Sequence, residues 1–191
     1  MNLSECKRLI TSDLYRYSGK KNGLAFLKSY FTIPGFKYGF FLRLTLYLRS
    51  KFLLLLPLYF ISRILLNHYK YKFGIDISYD TQVGSGLYIG HFGGIVVNYK
   101  TKIGKNCNIN HGVTIGETFG GKNPGVPEIG DDVYIGPGSI IIGGIKVGNS
   151  VAIGAHSVVT QSIPDFGVVV GNPARIISMN GSGIYVSNID Y

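Results

Sequence analysis

Cysteine is nearly absent from this chain, limited to Cys6 and Cys107 among 191 residues. Two thiols cannot build a disulfide framework, and these two sit at no metal-ligand spacing, so a reducing cytoplasm is the expected compartment. Tryptophan is missing altogether, and carboxylates are scarce in the first part of the chain. Residues 1–72 hold thirteen Lys or Arg against only Glu5 and Asp13, a net +11, whereas residues 73–191 net −2. The basicity therefore belongs to the N-terminal segment. No recognition motif accompanies it, so nucleic acid is not an expected partner. Long apolar runs are lacking too. Phe52–Ser62 contains Pro57, is flanked by Arg49, Lys51 and Arg63, and at eleven residues falls short of the roughly 20 a spanning helix needs. An interfacial helix is the membrane mode that such a run allows. The first twenty residues carry no apolar core of signal-peptide type.

Glycine is abundant, at 27 residues, and the sequence shows why. An aliphatic residue, usually followed by Gly, returns every six positions: Val83, Ile89, Ile95, then Ile103, Ile109, Ile115. After a gap the beat resumes at Ile129, Ile135, Ile141, Val147, Ile153 and Val159. A helix would return its apolar face every 3.6 residues. A period of six fits short strands joined by tight turns, three to a coil, stacked as a parallel β-helix.

The chain then divides into three expected parts. Residues 1–72 form a basic helical cap over the open first coil, with helices at Ser4–Tyr17, Phe36–Ser50 and Phe52–Tyr71. This basic surface is also a candidate contact for anionic lipid or a polyanionic glycan. Residues 73–164 form the β-helix. Its beat stretches to eight between Ile95 and Ile103, and to fourteen between Ile115 and Ile129. The second excess predicts a protruding loop at Glu117–Glu128, and solenoid insertions often mark the binding face. Residues 165–191 form a last strand and a polar tail, expected to be mobile or to pack on a neighbouring subunit.

The beat also predicts neighbours. His91 lies two residues past Ile89, and His111 two past Ile109. With three units per coil these positions stack, on rungs about 4.8 Å apart. Pro137 and Ala155 continue the column. Stacked imidazoles beside the one long loop suggest a site with a proton acceptor. His68 and His156 lack such support and read as surface residues. No Cys or third His joins the column, so no metal is expected.

These features resemble the hexapeptide-repeat acyltransferases with a left-handed β-helix, and among them the serine acetyltransferase branch. The resemblance spans about residues 70–177. It rests on Gly74-Ile75-Asp76-Ile77, on the stretch Ile89–Asn98 with His91, on Asn110–Gly116 with His111, and on Gly171–Ile176. It implies a homotrimer with sites between subunits and acetyl-CoA as donor. It further implies His91 as catalytic base and Asp76 as its orienting carboxylate; His111, stacked beside them, is expected to hydrogen-bond the acceptor or assist proton transfer. The CoA-binding residues would be Gly116, Pro137, Gly154, Ala155, Asn172, Pro173 and Arg175. Proton removal by a positioned imidazole is worth roughly 10²–10⁴-fold. With no Ser or Cys in a nucleophile-elbow context, direct transfer is the expected route.

Within that family the chain looks closest to capsule and exopolysaccharide O-acetyltransferases. Gly90 stands where serine acetyltransferases have an acidic residue, and Gly125 and Val126 where they have an Arg-His pair. A zwitterionic acceptor would lose those partners. The expected acceptor is accordingly a sugar hydroxyl on a surface polysaccharide or its precursor, acetylated in the cytoplasm at the inner face of the membrane. The alternatives are serine O-acetylation in cysteine biosynthesis and a non-catalytic β-helix scaffold.

Overall fold

The computed structural model describes residues 1–191. Four helices come first: α1 (Leu3–Ser18), α2 (Gly23–Thr32), α3 (Pro34–Ser50) and α4 (Leu56–Phe73). The capping chemistry is legible at several ends. The Asn2 and Asn22 side chains accept the N–H groups of Glu5 and Ala25 at the starts of α1 and α2. Gly19 and Gly74 end α1 and α4 in the left-handed conformation. Pro34 and Pro57 stand in the first turns of α3 and α4, where a missing N–H is harmless. Pro57 thus opens a helix instead of kinking one, and residues 51–55 form the turn between α3 and α4. The short α2 is absent from the sequence-based expectation.

Fifteen short strands follow. They are β1 (Ile75–Ile77), β2 (Gln82–Val83), β3 (Tyr88–Ile89), β4 (Ile95–Val97), β5 (Lys102–Ile103), β6 (Asn108–Ile109), β7 (Thr114–Gly116) and β8 (Glu128–Ile129). Then come β9 (Tyr134–Ile135), β10 (Ile140–Ile142), β11 (Lys146–Val147), β12 (Ala152–Ile153), β13 (Val158–Val159), β14 (Val168–Val170) and β15 (Arg175–Ser178). Every third strand stacks, giving three parallel faces. The first is β1-β4-β7-β10-β13, the second β2-β5-β8-β11, and the third β3-β6-β9-β12-β14, to which β15 adds antiparallel. This is the β-helix that the beat of six predicts. The beat residues fill its interior: Ile95, Ile109, Ile115, Ile135, Ile141 and Ile153 are fully buried, each worth about 1.5–3 kcal/mol relative to exposure. β14 remains a parallel rung of the third face, so the solenoid runs one strand further than the beat.

Glycine after the beat residue answers crowding between rungs. A Cβ on Gly104 would lie 2.5 Å from the Gly130 carbonyl oxygen, and one on Gly84 2.6 Å from that of Gly104. The left-handed corner that follows is taken by Gly86, Asn106, Asp132 and Ser150 on successive coils, mostly residue types that tolerate it.

The first coil has no rung above it, and the helices satisfy its open backbone with side chains. On the first face Tyr38 Oη donates to Ile77 O at 2.7 Å and accepts from Ile77 N at 3.1 Å. After the second face, Arg43 Nη1 and Nη2 donate to the carbonyls of Val83 and Gly84 at 2.7 and 2.6 Å. On the third, Ser12, Asp13 and Tyr17 accept the N–H groups of Gly86, Leu87 and Ile89. An uncovered edge would invite strand pairing; here it is closed group by group. Arg16 and Arg43, counted by sequence with the basic surface, are 3% and 2% exposed and serve this closure.

The tail corrects the sequence-based expectation. Residues 179–191 run back along the third face of their own chain. Ser182 bonds Asp132 O, the Tyr185 ring stacks on Tyr134 at 4.4 Å, and Asn108 Nδ2 donates to Tyr185 O at 2.9 Å. Arg16 Nε donates to Ser187 O at 2.8 Å. Tyr191 Oη ends beside Ser85 Oγ and Asn106 Oδ1, at 2.8 and 2.7 Å, on the first two coils.

Candidate active site

The register confirms the column. Ile89 pairs with Ile109, Ile109 with Ile135, and Ile135 with Ile153. Two residues beyond each, His91, His111, Pro137 and Ala155 therefore stack along the corner between the third and first faces. The His91 and His111 rings lie 5.9 Å apart, edge to face at 78°. Both are exposed, open to a reactant on the solvent side. Beneath them the column narrows to small side chains.

Asp76 sits in β1, level with Val96, one rung before the strand that follows His91. Its carboxylate makes no hydrogen bond to His91. It accepts from Lys70 Nζ of α4 at 2.8 Å, with the two side chains 47% and 35% exposed. At that exposure the pair adds little stability; its effect is to set where the carboxylate points. Phe92, next to His91, packs its ring 5.6 Å from that of Phe73 at the end of α4. The histidine loop is thereby tied to the helical cap.

The other expected residues divide in space. Gly154 precedes Ala155 on the column, and a Cβ there would meet Val170 at 2.6 Å. Asn172, Pro173 and Arg175 are exposed past the last rung, and Arg175 lines a shallow cavity of about 210 Å³ with Thr160 and Ala174. Gly116 is apart from these, ending β7 in register with Ile142. The Glu117–Glu128 excess is a loop pinched by the Thr118–Gly125 bridge and pinned by Asn123 Nδ2 to Thr160 O at 3.1 Å. It leaves the corner between the first and second faces. The loop and the histidine column thus flank opposite edges of the first face, where the sequence had suggested direct adjacency.

One feature escaped sequence reasoning. A cavity of about 510 Å³ lies between α4 and β1, lined by Phe60, Arg63, Lys70, Asp76 and Tyr79 among others. The α4 contributors recur at helical spacing, which alone reads as an ordinary helix face. Only the packing of α4 on β1 adds Asp76 and Tyr79.

Neither cysteine can serve as an acyl carrier. Both are buried, and burial pushes the Cys107 thiol up to about 12. The thiolate is the reactive form, so Cys107 is expected to resist a disulfide-exchange reagent near neutral pH and to react only after denaturation. Labelling of the native protein at this position, read by mass spectrometry, would contradict its enclosure.

Fold and site together define a hexapeptide β-helix transferase. Residues 127–161 match the family described as bacterial transferase hexapeptide (six repeats). Over 111 residues the chain is 43% identical to the serine acetyltransferase of Staphylococcus epidermidis, a match covering 58% of this chain and 52% of that protein. The chain spans about half the length of the curated relatives it matches. Among solved structures, serine acetyltransferase from Brucella abortus strain S19 is 31% identical with a TM-score of 0.70, over 94% of this chain and 70% of that one. The same enzyme in complex with coenzyme A is 31% identical with a TM-score of 0.73, over 93% and 68%. The chain belongs to the hexapeptide-repeat acetyltransferases with a left-handed β-helix, the family that includes these serine acetyltransferases.

These relatives overturn the expected sugar acceptor. They are named for serine, not for a polysaccharide. Gly90, Gly125 and Val126 lack charge at three positions only. Lys70, Asp76 and Arg63 line the cavity between α4 and β1, charges that those three positions do not reveal.

Proposed function

We infer that this chain transfers the acetyl group of acetyl-CoA to the hydroxyl of L-serine, the reaction that feeds cysteine biosynthesis. The observation that carries this reading is the exposed His91–His111 column, on a chain whose relatives are serine acetyltransferases. His91 takes the hydroxyl proton as the oxygen attacks the thioester carbonyl. A tetrahedral intermediate forms and then collapses. The C–S bond breaks, the imidazolium returns the proton to the departing sulfur, and O-acetylserine and CoA leave. His111 contacts the acceptor. Asp76 is the positioning residue for His91 and must turn from Lys70 to act. Pro137, Gly154 and Ala155 leave room for the pantetheine arm, Gly116, at the root of the loop, would meet it from a neighbouring protomer, and Asn172, Pro173 and Arg175 hold the nucleotide end. A guanidinium suits its phosphates.

The assembly proposed is a homotrimer joined through the first face. Its outward side chains include Val96 and Ile140, both exposed and apolar. The second face carries the Lys102–Glu128 ion pair, and the third is covered by the tail. Joining copies there would bring the Glu117–Glu128 loop of one protomer toward the histidine column of the next.

The test is release of CoA from acetyl-CoA by the purified chain, with L-serine and with L-alanine. Release with serine and none with alanine, which lacks the hydroxyl, is expected. No serine-dependent release would overturn the reading.

A further inference from the structure

The turn between α3 and α4 exposes an apolar surface that the catalytic reading does not use. Leu53 and Leu54, at its tip, are 93% and 83% exposed, and neither belongs to the core cluster. The surface continues along α4 through Leu58, Phe60, Ile61 and Ile64, all exposed. Isolated exposed leucines are ordinary, but a contiguous patch this size on one element is not.

Its charge surroundings are predominantly positive. No Asp or Glu occurs between Asp13 and Asp76, and Asp13 is buried against Arg43. Lys51 and Arg63 border the patch and are exposed. Arg49 does so as well, and its one carboxylate partner is Asp80. No helix of the chain is long and apolar enough to cross a membrane, which leaves the interfacial mode for this element. Two copies meeting tip to tip would bring Lys51 and Arg63 toward their own counterparts. An anionic lipid surface offers acyl chains to the leucines and phosphates to the cations.

We propose that the α3–α4 hairpin docks this protein on an anionic lipid bilayer, with Leu53 and Leu54 entering the acyl boundary and Lys51 and Arg63 lying among the headgroups. The proposal is independent of the acceptor, because the tip is remote in sequence and packing from the histidine column.

The experiment is co-sedimentation of the full chain with phosphatidylcholine vesicles, with and without phosphatidylglycerol. Binding is expected only when phosphatidylglycerol is present, and it should weaken as salt is raised. Leu53→Ser/Leu54→Ser should lower the partition coefficient about tenfold or more, and Lys51→Glu by about fivefold or more. Unchanged thermal melting of the double variant, expected for residues outside the core, separates lost docking from lost folding. Serine-dependent CoA release should be unaffected by it, which separates this proposal from the catalytic one. Absence of binding to phosphatidylglycerol vesicles, or equal binding by the double variant, would overturn the proposal. So would a double variant whose light-scattering mass falls below that of the parent, since a second copy would then be the occupant.

Discussion

Replacing His91 with alanine is expected to lower kcat for acetyl transfer about 10²–10⁴-fold while leaving the melting temperature in place. The two halves of this result rest on different observations. Stability should hold because the side chain is exposed and packs in no core. Activity should fall because no other group at the head of the column can take the acceptor proton. His111 is the nearest imidazole, but it stands one rung further from Asp76, which is level with Val96 on the His91 coil. His111→Ala should therefore raise KM for serine more than it lowers kcat. Steady-state kinetics on both variants decides the matter. Near-normal kcat in His91→Ala would remove the histidine from its catalytic role.

The largest effect on folding is expected from Arg43→Met. Arg43 donates to Asp13 through Nε at 2.9 Å and Nη2 at 3.2 Å, and to the open carbonyls of Val83 and Gly84. Its loss strands a buried carboxylate and two backbone acceptors, at a cost of about 3–5 kcal/mol. For a chain this long that is a fall in Tm of about 10 °C. Burial pushes the Asp13 carboxyl upward, with Arg43 the foremost opposing influence. Without Arg43 only the backbone N–H groups of Gly86 and Leu87 oppose that rise. A carboxyl with a raised folded-state pKa binds its proton more tightly in the native state, so stability falls as pH rises past the unfolded value. The deficit of the variant should thus be smaller near pH 4 than near pH 7. Denaturant titration at both pH values checks the sign. Adding Asp13→Ala should restore part of the loss, as expected for groups that act together.

These cases show what was readable in the chain beforehand. The beat of six becomes contacts directly, because each coil lays residue i of one unit over residue i of the unit three further on. His91 over His111 and the following Pro137 and Ala155 come from counting alone. The closure of the first coil does not. Arg16 and Arg43 look like any solvent-facing cations, and their burial depends on how α1 and α3 land on strands seventy and forty residues later. α2 was missed because ten residues starting at a glycine carry little periodic signal. The acceptor was misread for a related reason. Charges missing from aligned positions are visible in sequence, whereas the charges around Lys70 and Asp76 gather only when α4 meets β1.

The returning tail gives this solenoid a property that stacked repeats usually lack. A linear array melts from its ends, each terminal unit depending on one neighbour. Here the segment that follows the last rung is held at the first two coils by Tyr191 and at α1 by Arg16. Opening the far end is therefore expected to loosen the near end as well, so the coils should melt together instead of fraying from one terminus.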